Sequence, residues 1–269
     1  MDMKHNNIIR FIAFLFIFIC IIGIGMLSIS PFYSPANELK PYHISHKNND
    51  TIRIAFIGDS WANFHKRHHC IIDSIIMERV GAVSTLRSVG IDGITSKDVY
   101  YSFFYNDSIH DALCWGPDYC IISAGINDTD LKIGKSYYKR NMQLILDFLL
   151  KNEITPIIIE IPNYNIANAF TLRTKKEKII RLISMFITGS EKDCIESYRK
   201  AFKQLISDNT YDNIIYINYE SWNPKGYQDS RQIYTPDMIH LNEYGYSILD
   251  SCIAKEIAEK SFMTRFKKN

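Results

Sequence analysis

Three side chains in the sequence have the types needed to build a serine nucleophile. Ser60 ends the segment "TIRIAFIGDS", which begins with apolar and β-branched residues, and Asp237 stands three residues before His240 in "TPDMIHLN". A serine hydroxyl becomes reactive when an imidazole accepts its proton and a carboxylate orients that imidazole. A D-x-x-H pair is also common without catalysis, where the Asp caps a helix and the His faces solvent. These residues therefore predict a catalytic triad only if the fold brings Ser60 next to His240.

Two further segments could supply the hydrogen-bond donors that acyl chemistry needs. Such chemistry develops negative charge on a carbonyl oxygen, and donors aimed at that oxygen stabilise the charge. Gly93 in "GIDGITS" offers a backbone N–H that no Cβ shields, and Asn127 in "GIND" offers a side-chain amide. Both residue types are also common in turns, so each alone is a candidate donor and no more.

The elements that must position these residues alternate between strands and helices. The candidate strands, most of them apolar runs, are 52–57, 84–89, 119–124, 156–161 and 214–218. Apolar residues three and four apart predict helices over 70–80, 137–150, 194–206 and 244–257. This alternation predicts an α/β fold, with three α/β/α layers around a parallel sheet of about five strands. In such sheets ligands bind beyond the carboxyl ends of the strands, which is where Ser60, Gly93 and Asn127 are expected.

The N-terminal segment differs from the rest of the chain. Residues 11–29, "FIAFLFIFICIIGIGMLSI", carry no charge. At about 1.5 Å per residue they nearly span a hydrocarbon core of about 30 Å. Lys4 and Arg10 precede the run, which favours a cytoplasmic segment at 1–10. We therefore predict one transmembrane helix, a linker at 30–50, and a domain outside the cytoplasm, periplasmic or at the cell surface. A cleaved signal peptide is the alternative, although the run is long for one.

Composition limits the function classes open to the rest of the chain. The chain has 269 residues, 46% of them hydrophobic, which suffices for one domain over 51–260. A net charge of +2 gives no strong electrostatic footprint for nucleic acid, so no nucleic-acid partner is predicted. Residues 171–190 read as an inserted amphipathic helix packed on the domain, with a lid or a membrane-surface helix as alternatives. Residues 261–269 read as a solvated basic tail.

The histidine-rich segment "HKRHHC" at 65–70 raises the question of a metal site. His65 and His69 are four residues apart and could face together on a helix. No acidic residue stands near them in sequence as a clear third ligand. We therefore interpret the segment as the basic, solvated start of a helix, and we predict neither a metal nor a cofactor.

Four short blocks, in order along the chain, resemble the SGNH (GDSL-type) hydrolase superfamily. They are "IGDS" at 57–60, "GIDGIT" at 90–95, "GIND" at 125–128 and "DMIHLN" at 237–242. The blocks fall within residues 52 to about 258, nearly all of the predicted domain. The resemblance implies a flavodoxin-like three-layer fold. Matched block by block, it implies a nucleophile at Ser60, a base at His240, a triad acid at Asp237, and an oxyanion hole from the N–H groups of Ser60 and Gly93 and the amide of Asn127.

The chain departs from the superfamily pattern at two positions. Many members have Leu after the serine, where this chain has Trp61, and many have Asn where it has Ser88. Neither position carries the chemistry. An indole beside the nucleophile could line or narrow an acyl pocket, so Trp61 is a candidate pocket residue.

The resemblance implies a serine ester hydrolase that works through an acyl-enzyme. We expect the acyl group to be acetyl and the substrate to be a cell-envelope or other glycan. The predicted partners are an acylated carbohydrate and, through the N-terminal helix, the membrane. Three alternatives stay open: an O-acyltransferase that moves acetyl groups to a polysaccharide, a lysophospholipase or other lipid esterase, and a catalytically inactive glycan-binding domain.

Overall fold

The protein forms two compact units, Met1–Glu38 and Leu39–Asn269. The structure is a computed structural model that describes residues 2–28, 42–45, 51–164, 171, 173–192, 194–209, 211–223 and 232–266. Most of the predicted linker at 30–50 lies outside these residues.

The first unit contains one described helix, α1 (Asp2–Ser28). Its apolar side chains from Ile8 to Ile22 are exposed. For residues 2–7 and 24–28 the structure describes the backbone only. Over the side chains that the structure describes, we find no helix with the length and apolar character that a membrane crossing requires.

Helices and strands alternate through most of the second unit, as the apolar pattern predicts. In chain order the elements are β1 (Thr51–Gly58), α2 (Ser60–His65), α3 (Ile72–Val80), β2 (Val83–Gly90), α4 (Ser96–Tyr105), α5 (Asp107–Cys114), β3 (Tyr119–Ser123), α6 (Ile126–Leu131), α7 (Lys135–Lys151), β4 (Thr155–Ile159), α8 (Lys175–Thr188), α9 (Ile195–Asn209), β5 (Ile215–Ile217), α10 (Tyr219–Trp222) and α11 (Glu243–Phe266).

The five strands form one parallel sheet in the order β2-β1-β3-β4-β5. Helices flank the sheet, so the prediction of an α/β fold with about five parallel strands is confirmed. Every residue of β3 is buried, as expected for a central strand with both faces covered. The register places Gly58 beside Gly90 on one side and beside Ser123 on the other. The carboxyl ends of β1, β2 and β3 therefore lie side by side.

Helices α4 and α5 have no counterpart in the sequence prediction, and the same is true of the shorter helices α2, α6 and α10. Helices α4 and α5 follow each other between β2 and β3. Helix α4 is rich in aromatic residues, which are weak helix formers. A capping box between Thr95 and Asp98 starts the helix, and Asn106 caps α5 by accepting the N–H of Ile109. Caps and packing thus establish helices where the residue types alone are neutral.

Two predicted irregular segments also differ from expectation. Within the predicted linker, Tyr42 packs against Phe104 and Phe148, so the described residues 42–45 belong to the folded unit. Helix α11 continues to Phe266, so the predicted basic tail begins as helix; residues 267–269 lie outside the described range.

Candidate active site

Ser60 lies at the junction between the central strand β1 and helix α2. The strand ends at Gly58, where a Cβ would collide with the carbonyl oxygen of Ser123 on the neighbouring strand. Asp59 then caps α2, because its carboxylate accepts the N–H of Trp61 at 3.0 Å. This turn makes Ser60 the first residue of the helix and leaves its side chain partly exposed at the sheet edge.

The structure brings Ser60 together with the two triad candidates from the other end of the chain. His240 Nε2 lies 2.9 Å from Ser60 Oγ, and His240 Nδ1 lies 2.6 Å from Asp237 Oδ2. Both distances are within hydrogen-bonding range, and the imidazole bridges the hydroxyl and the carboxylate. The order hydroxyl, imidazole, carboxylate is the geometry of an activated serine.

Asp237 is fixed in place by its own loop. Its Oδ1 accepts the N–H groups of Ile239 and His240 at 2.8 and 3.0 Å, and the hydroxyl of Thr235 at 2.7 Å. Partial burial alone would raise the pKa of Asp237, but the hydrogen bonds from His240, Ile239 and Thr235 outweigh it and lower the pKa to about 2. The carboxylate is therefore ionised at neutral pH and holds Oδ2 toward the imidazole. The sequence does not predict this role for Thr235, because its hydroxyl reaches Asp237 only through the conformation of the loop.

Asp59, the acid beside the serine, has a different role. It is fully buried, and besides Trp61 its Oδ1 accepts the hydroxyl of Ser123 at 2.9 Å. Its Oδ2 has no hydrogen-bond partner among the described residues. Burial raises the pKa of Asp59 to about 6, against the opposing effect of these hydrogen bonds. Asp59 thus ties β1, α2 and β3 together at the nucleophile, and it does not contact the imidazole through a described hydrogen bond.

The raised pKa of Asp59 predicts a pH dependence of stability. The pKa of Asp59 is about 6 in the folded chain, against 3.8 for the unfolded reference. As pH rises from about 4, the unfolded chain ionises first, so the free energy of unfolding falls by up to about 3 kcal/mol until pH has passed 6. Asp59→Asn keeps the Oδ1 acceptor and should lose this dependence. Urea titrations at pH 4 and 7.5 measure the free energy of unfolding of both proteins. Relative to the parent, the variant should be more stable at pH 7.5 than at pH 4. An equal difference at the two pH values would contradict the raised pKa of Asp59.

Trp61 does not occupy the position predicted for a pocket residue. Its side chain is fully buried, its indole N–H donates to the carbonyl of Ile239 at 3.1 Å, and its ring packs edge-to-face on Trp222. Its own carbonyl accepts the hydroxyl of Tyr246 at 2.9 Å. The indole is therefore directed into the core, where it links the nucleophile helix to the loop next to His240, and it does not form a wall that a substrate could reach.

The segment "HKRHHC" also differs from its interpretation as the solvated start of a helix. His65 is the last residue of α2 and is almost fully buried, whereas His69 is exposed. His65 Nε2 lies 2.8 Å from Asp250 Oδ1 on α11, and Asp250 Oδ2 accepts the N–H of Ile71. Ligand atoms of His65, Cys70 and Asp250 lie within 4.8 Å of one another. Because the imidazole and the carboxylate already bond each other, we interpret them as a structural link between α2 and α11.

Gly93 lies in the loop after β2, next to the nucleophile turn. The N–H of Ile91 donates to the carbonyl of Gly58 at 3.0 Å, and Asn63 of α2 donates to Asp92 at 2.8 Å. Gly93 has a φ of 77°, in the left-handed region that favours glycine, and open space surrounds the position of a Cβ. The loop is thus held beside Ser60, with room for a ligand at Gly93.

Asn127 lies in the first turn of α6, directly after β3. The side chain is nearly buried, and its Nδ2 donates to the carbonyl of Ile94 at 2.8 Å, which links it to the Gly93 loop. An amide nitrogen carries two hydrogens, and the carbonyl of Ile94 accepts one of them. The next residue, Asp128, accepts the N–H of Ser96 at 2.8 Å and anchors α6 to the start of α4.

The predicted oxyanion role of Asn127 has a measurable consequence: Asn127→Ala is expected to lower kcat by about 10²- to 10³-fold with little change in KM, because a donor in that role acts on the charge of the transition state. Steady-state hydrolysis of p-nitrophenyl acetate measures both constants, and a thermal melt shows whether the Ile94 contact was needed for folding. A raised KM with normal kcat would assign Asn127 to ground-state binding instead.

Comparison with known proteins supports the fold of this domain. No protein-family model matches the chain, and no curated protein matches it significantly. A lipase/acylhydrolase from Enterococcus faecalis superposes with a TM-score of 0.53 at 16% identity, covering 78% of this chain and 96% of that one. A GDSL-like lipase from Bacteroides thetaiotaomicron gives 0.50 at 19% identity, covering 78% and 88%. An acetyl xylan esterase gives 0.50 at 18% identity, covering 78% and 99%.

These similarities show that the domain has the fold of the SGNH/GDSL-type hydrolase structures. The shared architecture extends over nearly the full length of each of the three structures compared. At such low identity the likeness concerns the fold.

Proposed function

We propose that the protein is a serine ester hydrolase that works through an acyl-enzyme. The observation that carries this proposal is the hydrogen-bonded chain from Ser60 Oγ through the imidazole of His240 to the carboxylate of Asp237, at 2.9 and 2.6 Å. The chain lies at the carboxyl edge of a parallel sheet, where α/β proteins bind their ligands. The fold shared with structures of lipases and esterases supports the same reaction class.

In the proposed mechanism each residue has a defined step. Ser60 Oγ attacks the ester carbonyl while His240 Nε2 takes the hydroxyl proton, and Asp237 stabilises the resulting imidazolium. The N–H groups of Ser60 and Gly93 and the amide of Asn127 stabilise the oxyanion. The imidazolium then returns the proton to the leaving alcohol, and the acyl group stays on Ser60. A water molecule, deprotonated by His240, attacks the acyl-enzyme; the imidazolium returns that proton to Ser60 Oγ as the carboxylic acid leaves.

We propose that the acyl group is acetyl and that the alcohol belongs to a glycan. The support is the structural neighbour described as an acetyl xylan esterase. For this chain, the glycan follows from the location that we propose: a single anchor formed by the charge-free run at 11–29, with the catalytic domain outside the cytoplasm. Extraction of membranes with alkaline carbonate and protease protection of the domain test that location.

The proposed activity is tested with the full chain in detergent. The protein is incubated with acetylated xylan, with p-nitrophenyl acetate, and with a fluorophosphonate that labels activated serines. Release of acetate from xylan and labelling that Ser60→Ala abolishes are the expected results. Addition of a non-acetylated glycan then separates the alternatives, because acetyl transfer to sugar in preference to water would make the protein an O-acyltransferase. The absence of both labelling and ester turnover would instead favour a glycan-binding domain.

A further inference from the structure

Helix α8, within the predicted insertion at 171–190, packs on the domain with its polar side. Arg181 and Ser184 are buried on the inner face of the helix, whereas Leu182 and Phe186 are exposed on the outer face. An amphipathic helix of a water-soluble domain normally does the reverse, because burying apolar surface drives the packing. The apolar periodicity of the sequence predicts an amphipathic helix packed on the domain, but it does not predict this inverted orientation.

Arg181 on the inner face of α8 and Arg173, two residues before the helix, make ionic contacts with one carboxylate. Asp130 of α6 is buried and accepts from Arg181 Nη1 at 3.0 Å and from Arg173 Nη2 at 2.7 Å. At the other end of the helix, the hydroxyl of Thr188 donates to the carbonyl of Lys132 at 3.0 Å. Because Asp130 would be left charged and buried without these partners, the ionic contacts hold the polar face of α8 against the protein.

The outer face of α8 is a continuous apolar stripe. The exposed fractions are 91% for Phe186, 58% for Leu182, 57% for Ile187 and 48% for Ile179. Residues 179, 182 and 186 are spaced three and four apart, so they lie on one side of the helix. Exposed large apolar residues that are grouped in this way mark interaction surfaces.

Lysines border this stripe at the start of the helix. Lys175 is four residues before Ile179 and continues the same side, while Lys176 and Lys178 fall on its two flanks. Lys178 donates to the carbonyl of Thr171 at 3.2 Å, which leaves its charge at the surface. An apolar stripe with a basic border is the composition of helices that lie in the plane of an anionic membrane.

From this arrangement we propose that the outer face of α8 docks on an anionic lipid bilayer. The acyl region of the bilayer receives Ile179, Leu182 and Phe186, and the headgroup charge attracts the lysines. An anionic bilayer supplies both the apolar phase and the negative charge, whereas the same face of a second copy supplies only apolar surface. Helix α8 is joined through Asp130 to α6, which also carries Asn127, so docking would hold the candidate site near the membrane surface.

The test places a reporter at the apolar stripe of the full chain. Phe186→Trp is compared with Met77→Trp, whose site on α3 is also exposed, at 45%. Both variants are reconstituted in vesicles of phosphatidylglycerol and phosphatidylcholine with brominated acyl chains. The signal of the parent, whose three tryptophans both variants retain, is subtracted. Because both variants keep the N-terminal segment, any difference between them reports α8 and not membrane attachment at the N-terminus.

The expected result is at least about twofold stronger quenching for Phe186→Trp than for Met77→Trp, with the difference reduced in pure phosphatidylcholine. The double substitution of Lys175→Gln and Lys176→Gln should also reduce the quenching difference in the anionic vesicles. Equal quenching of the two reporters would overturn the proposal. So would a concentration-dependent dimer in detergent that Phe186→Ser abolishes, because the stripe would then bind a second copy. Ester turnover in detergent is independent of these outcomes, so the proposed function is tested separately.

Discussion

Ser60→Ala is expected to lower ester turnover by on the order of 10⁴-fold or more while leaving the fold intact. The loss follows from removal of the hydroxyl that lies against the imidazole of His240, at 2.9 Å. The fold should persist because Asp59, and not Ser60, caps helix α2, and alanine is a good helix former at the position that Ser60 occupies. Initial rates with p-nitrophenyl acetate and a thermal melt measure the two effects.

The double variant makes this expectation more stringent. If Ser60 and His240 act as one unit, Ser60→Ala combined with His240→Ala should be no slower than either single variant, because the second change removes nothing that still functions. Multiplying losses would show that the two residues work independently. Near-normal turnover in Ser60→Ala would remove Ser60 from the mechanism altogether and would leave the proposed function without its nucleophile.

The sheet can be predicted from the sequence because buried parallel strands consist largely of consecutive apolar residues. The central strands β1 and β3 are such runs, and the segments predicted for all five strands overlap the observed ones. Helix α2 cannot be predicted in this way, because it is six residues long and begins in the polar turn at Asp59. Its existence depends on a cap and on packing against β2, neither of which produces a periodic pattern.

The candidate site is predictable in part for the same reason. Residues at the carboxyl ends of successive parallel strands must converge, so Ser60, Gly93 and Asn127 can be grouped from the order of the apolar runs alone. His240 and Asp237 can be added because one short loop can present both side chains together. Their catalytic role stays a prediction until the variants are measured.

Contacts between distant parts of the chain explain why the predictions for Trp61 and His65 are wrong. The position of Trp61 after the nucleophile suggests a pocket residue, but Tyr246 and Trp222 hold it in the core from far along the chain. The basic surroundings of His65 suggest a solvated residue, although Asp250 pairs with it across 185 residues. Tertiary pairing of this kind leaves no local pattern in one sequence.

The identity of the triad acid gives the second large expected effect, because two candidate acids lie near the serine. Asp237→Asn should lower turnover by about 10⁴-fold. An amide that keeps the Oδ1 acceptor places its NH₂ group against His240 Nδ1, so the imidazole would carry its proton on Nε2 and could not take one from Ser60.

Asp59→Asn is the matched control for that substitution, since it makes the same chemical change at the other acid. Its Oδ1 contacts with Trp61 and Ser123 accept equally well from an amide oxygen, so turnover at pH 7.5 should stay close to that of the parent. Rates at saturating p-nitrophenyl acetate, with melting temperatures for both variants, measure the contrast. A larger loss in Asp59→Asn than in Asp237→Asn would reverse the assignment, because the buried acid next to the nucleophile would then be the one on which the imidazole depends.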